Sequence, residues 1–288
     1  MSPIPNLHSF DPLSLDELNI KADMLTRVDN KYIVNGHLCS ASIKLLKQHF
    51  DVLTIDRKRS FGYENIYFDD EDGICFHQHR QGKRQKFKAR TRVYLDSKDL
   101  AYFEVKLAGK GRIIDKYRIP CKLHEHGMVT NQFAEFLKQQ YAKQYKRTLD
   151  FNLLPTVKTA YQRITLVAKK GGERLTIDHN LSLGLKDTAA NVPAALAIFE
   201  TKSKNGNGIA DKILRSESIP RVKGCSKFCL SMALSGQVRK YNKFLPVIRQ
   251  HFSELQPAER HTEFRNKPES EHRHQVPDMS LPAVEYAI

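Results

Sequence analysis

The chain has 288 residues, 40% of them hydrophobic, which is enough for a packed core and excludes global disorder. Its 47 Lys and Arg against 32 Asp and Glu give a net charge of +15, which calls for a polyanionic partner: nucleic acid, an acidic membrane or phosphates. Five cysteines without framework spacing read as reduced thiols, and no apolar run approaches the roughly 20 residues that span a bilayer, so a cytoplasmic, soluble protein without a disulfide scaffold is expected. The opening MSPIPNLHSF has neither a basic nor an apolar signal region, so no secretory signal is expected.

In chain order, PLSLDELNI is a short helical candidate, RVDNKYIV (27–34) a strand, and SASIKLLKQHF (40–50) a helix with Ser40 or Ser42 as its cap. GYENIYFDD (62–70) is aromatic and β-branched enough for a strand. QKFKARTRVYL, AYFEVKLAG and RIIDKYRI follow as strands between the turn-like DSKD and GKG, and 131–146 has helical spacing without a breaker. A second β block holds TVKTAYQRITLVA, ERLTIDHNLSL and AALAIFETKS. GIADKILR is a short helix, and 236–252 a helix kinked near Pro246. The organisation expected is an N-terminal segment over 1–19, one domain over 20–252 and a flexible polar tail over 253–288.

The strands share a face pattern. In 86–93 the period of two puts Lys86, Lys88, Arg90 and Arg92 on one side, with Phe87, Ala89, Thr91 and Val93 on the other. Asp29 and Lys31 share a face with Arg27, Glu104 and Lys106 with Tyr102, Lys116 with Arg118, Tyr161 with Arg163, Arg174 with Asp178, and Glu200 with Lys202. One such strand would be a solvated sheet face. Seven of them, rich in Lys and Arg with single carboxylates, fit a barrel whose charged faces converge on its lumen, because buried charges need partners.

These residues resemble the VTC domain, the polyphosphate polymerase module of the vacuolar transporter chaperone complex. It belongs to the triphosphate tunnel metalloenzymes and is related to CYTH domains. The resemblance runs over about 20–245: Arg27-x-Asp29-x-Lys31 for the first-strand signature, Arg90-x-Arg92, Glu104-x-Lys106, Lys116 and Arg118, Arg163 and Arg174, Glu200, and the closing Ser226-Lys227-Phe228. It departs in having Asp29 where Glu is common, and its nearest second closing lysine, Lys223, is four residues before Lys227.

The resemblance implies an α+β fold, a closed antiparallel eight-stranded β-tunnel with helices packed outside. It implies a transferase that adds the ATP γ-phosphate to inorganic polyphosphate, with Lys31, Arg90, Arg92, Lys106, Arg163, Arg174 and Lys227 as the catalytic cations. Arg27, Lys116, Arg118 and Lys88 would hold substrate, and Glu200, Glu104 and Asp29, with Asp178 as a further candidate, would bind Mn²⁺ or Mg²⁺. Arg suits phosphate by its bidentate fork and Lys as a point charge. ATP and polyphosphate or triphosphate would be the ligands, with no stable nucleic acid partner. A separate membrane partner would be needed for any translocation. Tripolyphosphate or nucleoside triphosphate hydrolysis on the same tunnel, or a non-catalytic polyphosphate or nucleic-acid binding module, are the alternatives. The pairs His77/His79, His124/His126 and His272/His274 lack partners at zinc spacing and read as surface residues.

Overall fold

The computed structural model describes residues 4, 7–21, 28–97, 100–109, 114–184, 190–253 and 255. The strands are Pro12–Leu13 (β1), Val28–Val34 (β2), Phe50–Leu53 (β3), Phe61–Asp69 (β4), Phe87–Tyr94 (β5), Ala101–Ala108 (β6), Ile114–Pro120 (β7), Leu154–Ala168 (β8), Arg174–Gly184 (β9), Ala190–Asn191 (β10) and Ala197–Ser203 (β11). The helices are Leu15–Lys21 (α1), Gly36–Leu46 (α2), Ile74–Gln81 (α3), Asn131–Tyr145 (α4), Ile209–Ser216 (α5), Lys227–Leu234 (α6) and Leu245–His251 (α7). No helix among the described residues is long and apolar enough to cross a membrane.

Eight strands make one antiparallel path, β2–β11–β9–β8–β4–β5–β6–β7. β1 lies parallel to β3, which pairs with β8. Among the described residues the end strands β2 and β7 do not pair, so the hydrogen-bonded ladder is open at one seam where a closed tunnel was expected. At that seam the carbonyl of Lys31 accepts from the N–H of Val222, so part of the β2 edge is met by a non-strand segment.

The apolar faces look outward, as alternation requires. Phe87, Ala89, Phe103, Val105 and Leu107 are fully buried, and Phe103 stacks on Phe133 of α4 with centroids 4.6 Å apart. Thr130 caps α4 by accepting from the N–H of Phe133. On the other flank Val34, Ile177 and Phe199 of the sheet form one core with Ile43 and Leu46 of α2 and Leu214 of α5.

Beyond the short strands β1, β3 and β10, which were not expected, four helices differ from the sequence reading. α2 starts at Gly36 after an extended Asn35, ahead of Ser40 and Ser42, and ends at Leu46, so that Phe50 enters a strand. Pro246 sits in the first turn of α7, where its missing N–H costs nothing, and therefore starts a helix rather than kinking one. α3 and α6 were not expected. All eight residues of α6 are buried, and its Phe228 meets Tyr67 of β4 at 5.2 Å on the concave side of the sheet, so not every helix packs outside. The five cysteines are buried and unpaired with one another.

A cation-lined cavity as candidate site

Register carries the face pattern from strand to strand. Arg92 stands opposite Asn65 and Tyr102, Arg90 opposite Tyr67 and Glu104, and Lys88 opposite Lys106, which faces Lys116 in turn. Arg163 faces Asp178, Glu200 faces Lys31 and Thr176, and Lys202 faces Asp29 and Arg174. All eight strands therefore send side chains into one cavity of about 500 Å³, whose lining includes Asp29, Lys31, Lys86, Lys88, Arg90, Arg92, Glu104, Lys106, Lys116, Arg163, Arg174, Glu200, Lys202 and Lys227. Lys227 arrives from the first turn of α6, whose cap Ser226 accepts from the N–H of Cys229 and from Lys88 Nζ at 2.9 Å.

Three ion-pair clusters organise the wall. Glu104, 1% exposed, accepts from Arg90 Nε at 2.8 Å and meets Lys116 Nζ at 2.8 Å, with Arg92 at 4.0 Å. Burial would raise its carboxyl, but Arg90, Arg92, Lys116 and Lys106 outweigh burial and hold it well below the ordinary range. Asp178 is bonded by Arg163 at 2.6 Å and 2.8 Å and by Lys227, and it too is lowered, those cations overcoming its burial. Glu200 lies between Lys202 and Lys31, the latter at 3.5 Å, and is likewise driven well below the usual range against its burial.

Arg92 is met differently. Its Nε donates to Asn65 Oδ1 at 2.8 Å and one terminal nitrogen to Tyr161 OH at 2.9 Å, both neutral acceptors. Asn65, fully buried, is itself held by the carbonyl and hydroxyl of Thr159. Among the described residues no carboxylate lies within ion-pairing distance of Lys88 or Lys106, and burial lowers both lysines, Lys106 strongly. Burial, opposed by Glu104, brings Lys116 down to about 8. Cations lie over aromatic rings as well: Arg90 over Tyr67, Arg92 over Tyr63, and Arg163 over Tyr63 and Tyr161.

Of the predicted site residues, thirteen are described. Lys31, Lys88, Arg90, Arg92, Lys106, Lys116, Arg163, Arg174, Lys227, Asp29, Glu104 and Glu200 line the cavity. Arg118 shares their face but does not line it; its guanidinium sits 4.3 Å from the Tyr102 ring centroid. Arg27 lies outside the described residues, and Lys223 is exposed and away from the lining. Asp178 does not line the cavity, because Arg163 and Lys227 take its oxygens. Sequence reasoning missed Tyr63, Asn65 and Tyr67, which alternation within 62–70 places on one face, and His79, which lines the cavity although it read as a surface residue.

For a divalent cation, the described residues hold no group of three His, Cys, Asp or Glu placed to share a metal. The oxygens of Glu104 are already bonded by Arg90 and Lys116, while among the described residues Glu200 meets two lysine ammonium groups. Such a donor set fits Mg²⁺ or Mn²⁺ held by one carboxylate plus ligand phosphate oxygens and water, and not an all-protein cage.

A concave sheet whose buried wall carries this many guanidinium and ammonium groups defines a receptor for a polyanion. The model of the VTC domain matches residues 26–235, and the chain belongs to that family. No curated protein matches it in sequence. Among solved structures, a protein from Pyrococcus horikoshii OT3 aligns at 11% identity over 70% of this chain and 97% of its own, with a TM-score of 0.39. A Bacillus halodurans protein assigned as an adenylate cyclase aligns at 13% identity over 70% and 95%, with a TM-score of 0.41.

Proposed function

We propose that this VTC-domain chain is a polyphosphate polymerase. A terminal oxygen of the chain attacks the γ-phosphorus of ATP, the bond from that phosphorus to the β-phosphate's bridging oxygen breaks, and ADP leaves. The observation that carries the reading is the convergence of cations from seven of the eight strands, all but β4, and from α6 on one cavity of about 500 Å³, room for several linked phosphates. A surface patch for nucleic acid would instead lie on an outer face.

Phosphoryl transfer needs positioning and charge stabilisation more than covalent help. Lys88 and Lys106 have no carboxylate in contact among the described residues, and Arg92 has Glu104 only at 4.0 Å, so phosphate oxygens would be the close counter-charge these three lack. Arg90, Arg163 and Lys227 are oriented by Glu104 and Asp178, which fix their direction without closing the cavity. Lys31 and Lys202 would turn from Glu200 toward the phosphates, freeing that carboxylate for Mn²⁺ or Mg²⁺. When bound with the nucleotide, such an ion neutralises charge on phosphoryl oxygens.

Incubation with ATP and Mn²⁺, followed by polyacrylamide gel electrophoresis, tests the reading. A ladder of long chains is expected. ADP and orthophosphate without a ladder would make the chain a hydrolase, and no turnover a binding module.

A further inference from the structure

His79 lines the cavity at the end where β5 begins and β6 stops, beside Lys86, Lys88 and Ala108. The start of α3 places it there. Asp69, at the end of β4, accepts from the N–H groups of Cys75 and Phe76 at 2.7 Å and 3.0 Å, which anchors the first turn of the helix. One turn on, His79 Nδ1 lies 2.8 Å from the carbonyl oxygen of Cys75, and the ring stands edge-on to Phe228 at 6.4 Å. A carbonyl only accepts, so Nδ1 carries the proton and Nε2 the lone pair. Among the described residues no protein donor meets Nε2, and it is not sealed off from the cavity its ring lines. Burial first, then Lys88, holds the imidazole down to about 2, so it stays neutral.

A neutral, accept-only nitrogen among ammonium groups is of no use to ionised phosphate, whose oxygens also only accept. A terminal P–O–H would be ionised by the surrounding cations. A metal ion would meet Lys86, Lys88 and Lys243 around the ring and no second ligand, since the described residues hold no His, Cys, Asp or Glu cluster. What remains among the reactants is a neutral donor, an O–H or N–H, and of these only the nucleoside of ATP carries one. The same end of the cavity also offers apolar surface: Ala108 and Ile114 line it, and Ile114 is 61% exposed at the rim.

We infer that His79 Nε2 accepts a hydrogen bond from the nucleoside of the bound nucleotide, making the Lys86–Ile114 end of the cavity the nucleoside end. The donor is a ribose hydroxyl or the base amine. This rests on the proposal that ATP is the phosphoryl donor, and it adds that the nucleotide lies with its phosphates toward Arg90 and Arg92.

Isothermal titration calorimetry of the native protein and His79→Phe tests it with ATP, 2′,3′-dideoxy-ATP, inosine triphosphate and inorganic tripolyphosphate. His79→Phe is expected to weaken ATP about three- to tenfold, the scale of one neutral hydrogen bond, and to leave tripolyphosphate unchanged. In the native protein the dideoxy analogue shows that loss if the donor is the ribose, and inosine triphosphate shows it if the donor is the amine. Equal native affinities for ATP and both analogues overturn the inference whatever the variant does, as does equal weakening of ATP and tripolyphosphate in a folded variant. Native protein that binds tripolyphosphate but no ATP removes the donor reading itself, and native protein that binds neither removes the phosphate cavity.

Discussion

Arg92 and Arg90 are two residues apart on one strand, yet their charges are met in different ways. Arg90 is hydrogen-bonded to Glu104, whereas Arg92 donates to the neutral Asn65 and Tyr161 and has Glu104 only at 4.0 Å. A guanidinium whose hydrogen bonds go to neutral acceptors is oriented while keeping more of its field for an incoming anion than one bonded directly to a carboxylate. Replacing Asn65 with leucine is expected to weaken tripolyphosphate binding about tenfold or more, the scale of one hydrogen bond to a charged group, by calorimetry. Unchanged affinity would show that Arg92 needs no such anchor. Arg90→Ala combined with Arg92→Ala is expected to abolish synthesis and triphosphate binding while the thermal transition stays cooperative; normal synthesis by that double variant would refute the site. The cations themselves were legible from alternation, since Lys and Arg at every second position are visible in one strand. Asn65, Tyr67 and His79 were not, because their work depends on which residue stands across the ladder or at the end of the cavity.

At the scale of elements, two carboxylates fasten pieces of the fold. Glu173 accepts from the N–H groups of Ile209 and Ala210 at the start of α5, and a Cβ on Gly208 would lie 2.3 Å from its carboxylate. Gly208→Ala therefore must displace Glu173 from the helix end, and a loss of about 1–3 kcal/mol in urea denaturation is expected. Full retention of stability would show that the close approach is not required. On the outer face, Glu64 of β4 lies 3.3 Å from His126 and 2.7 Å from Lys158 of β8. His126 first and Lys158 with it outweigh burial and depress the carboxyl to about 2 from an ordinary 4.5. A depressed acid contributes stability above its unfolded pKa and loses it as pH falls through the folded one. Glu64→Gln is thus expected to be less stable than the native chain at pH 7, with the gap closing between about pH 4.5 and 2. A gap independent of pH would assign the effect to packing. Elements with a clear period, such as α4 and the charged strands, were readable in advance. α6 was not: apart from Lys227 and Ser231, KFCLSMAL is apolar, and all of it is buried, so it lacks the polar face that marks a surface helix.

For the whole molecule, the net charge of +15 divides into an outer surface and a buried wall. Salt screens exposed charges far more than buried ones. Tripolyphosphate binding is therefore expected to persist at about 0.5 M salt, where any duplex DNA association has gone. Parallel loss of both would place the anion site on the surface. Composition alone does not distinguish these partners, and the matched strand faces favour an anion held inside over one on the surface, because they converge only when the sheet curls. The seam left open between β2 and β7 among the described residues was beyond sequence reasoning, since a missing ladder leaves no mark in alternation.

The central claim, transfer of the γ-phosphate into a chain within this cavity, is tested most directly by running the reaction with ATP labelled at either its γ- or its α-phosphorus. A gel ladder carrying the γ label alone is expected, and none from the Arg90→Ala, Arg92→Ala protein. A ladder bearing the α label, a γ label released only as orthophosphate, or an undiminished ladder from the double variant would contradict it.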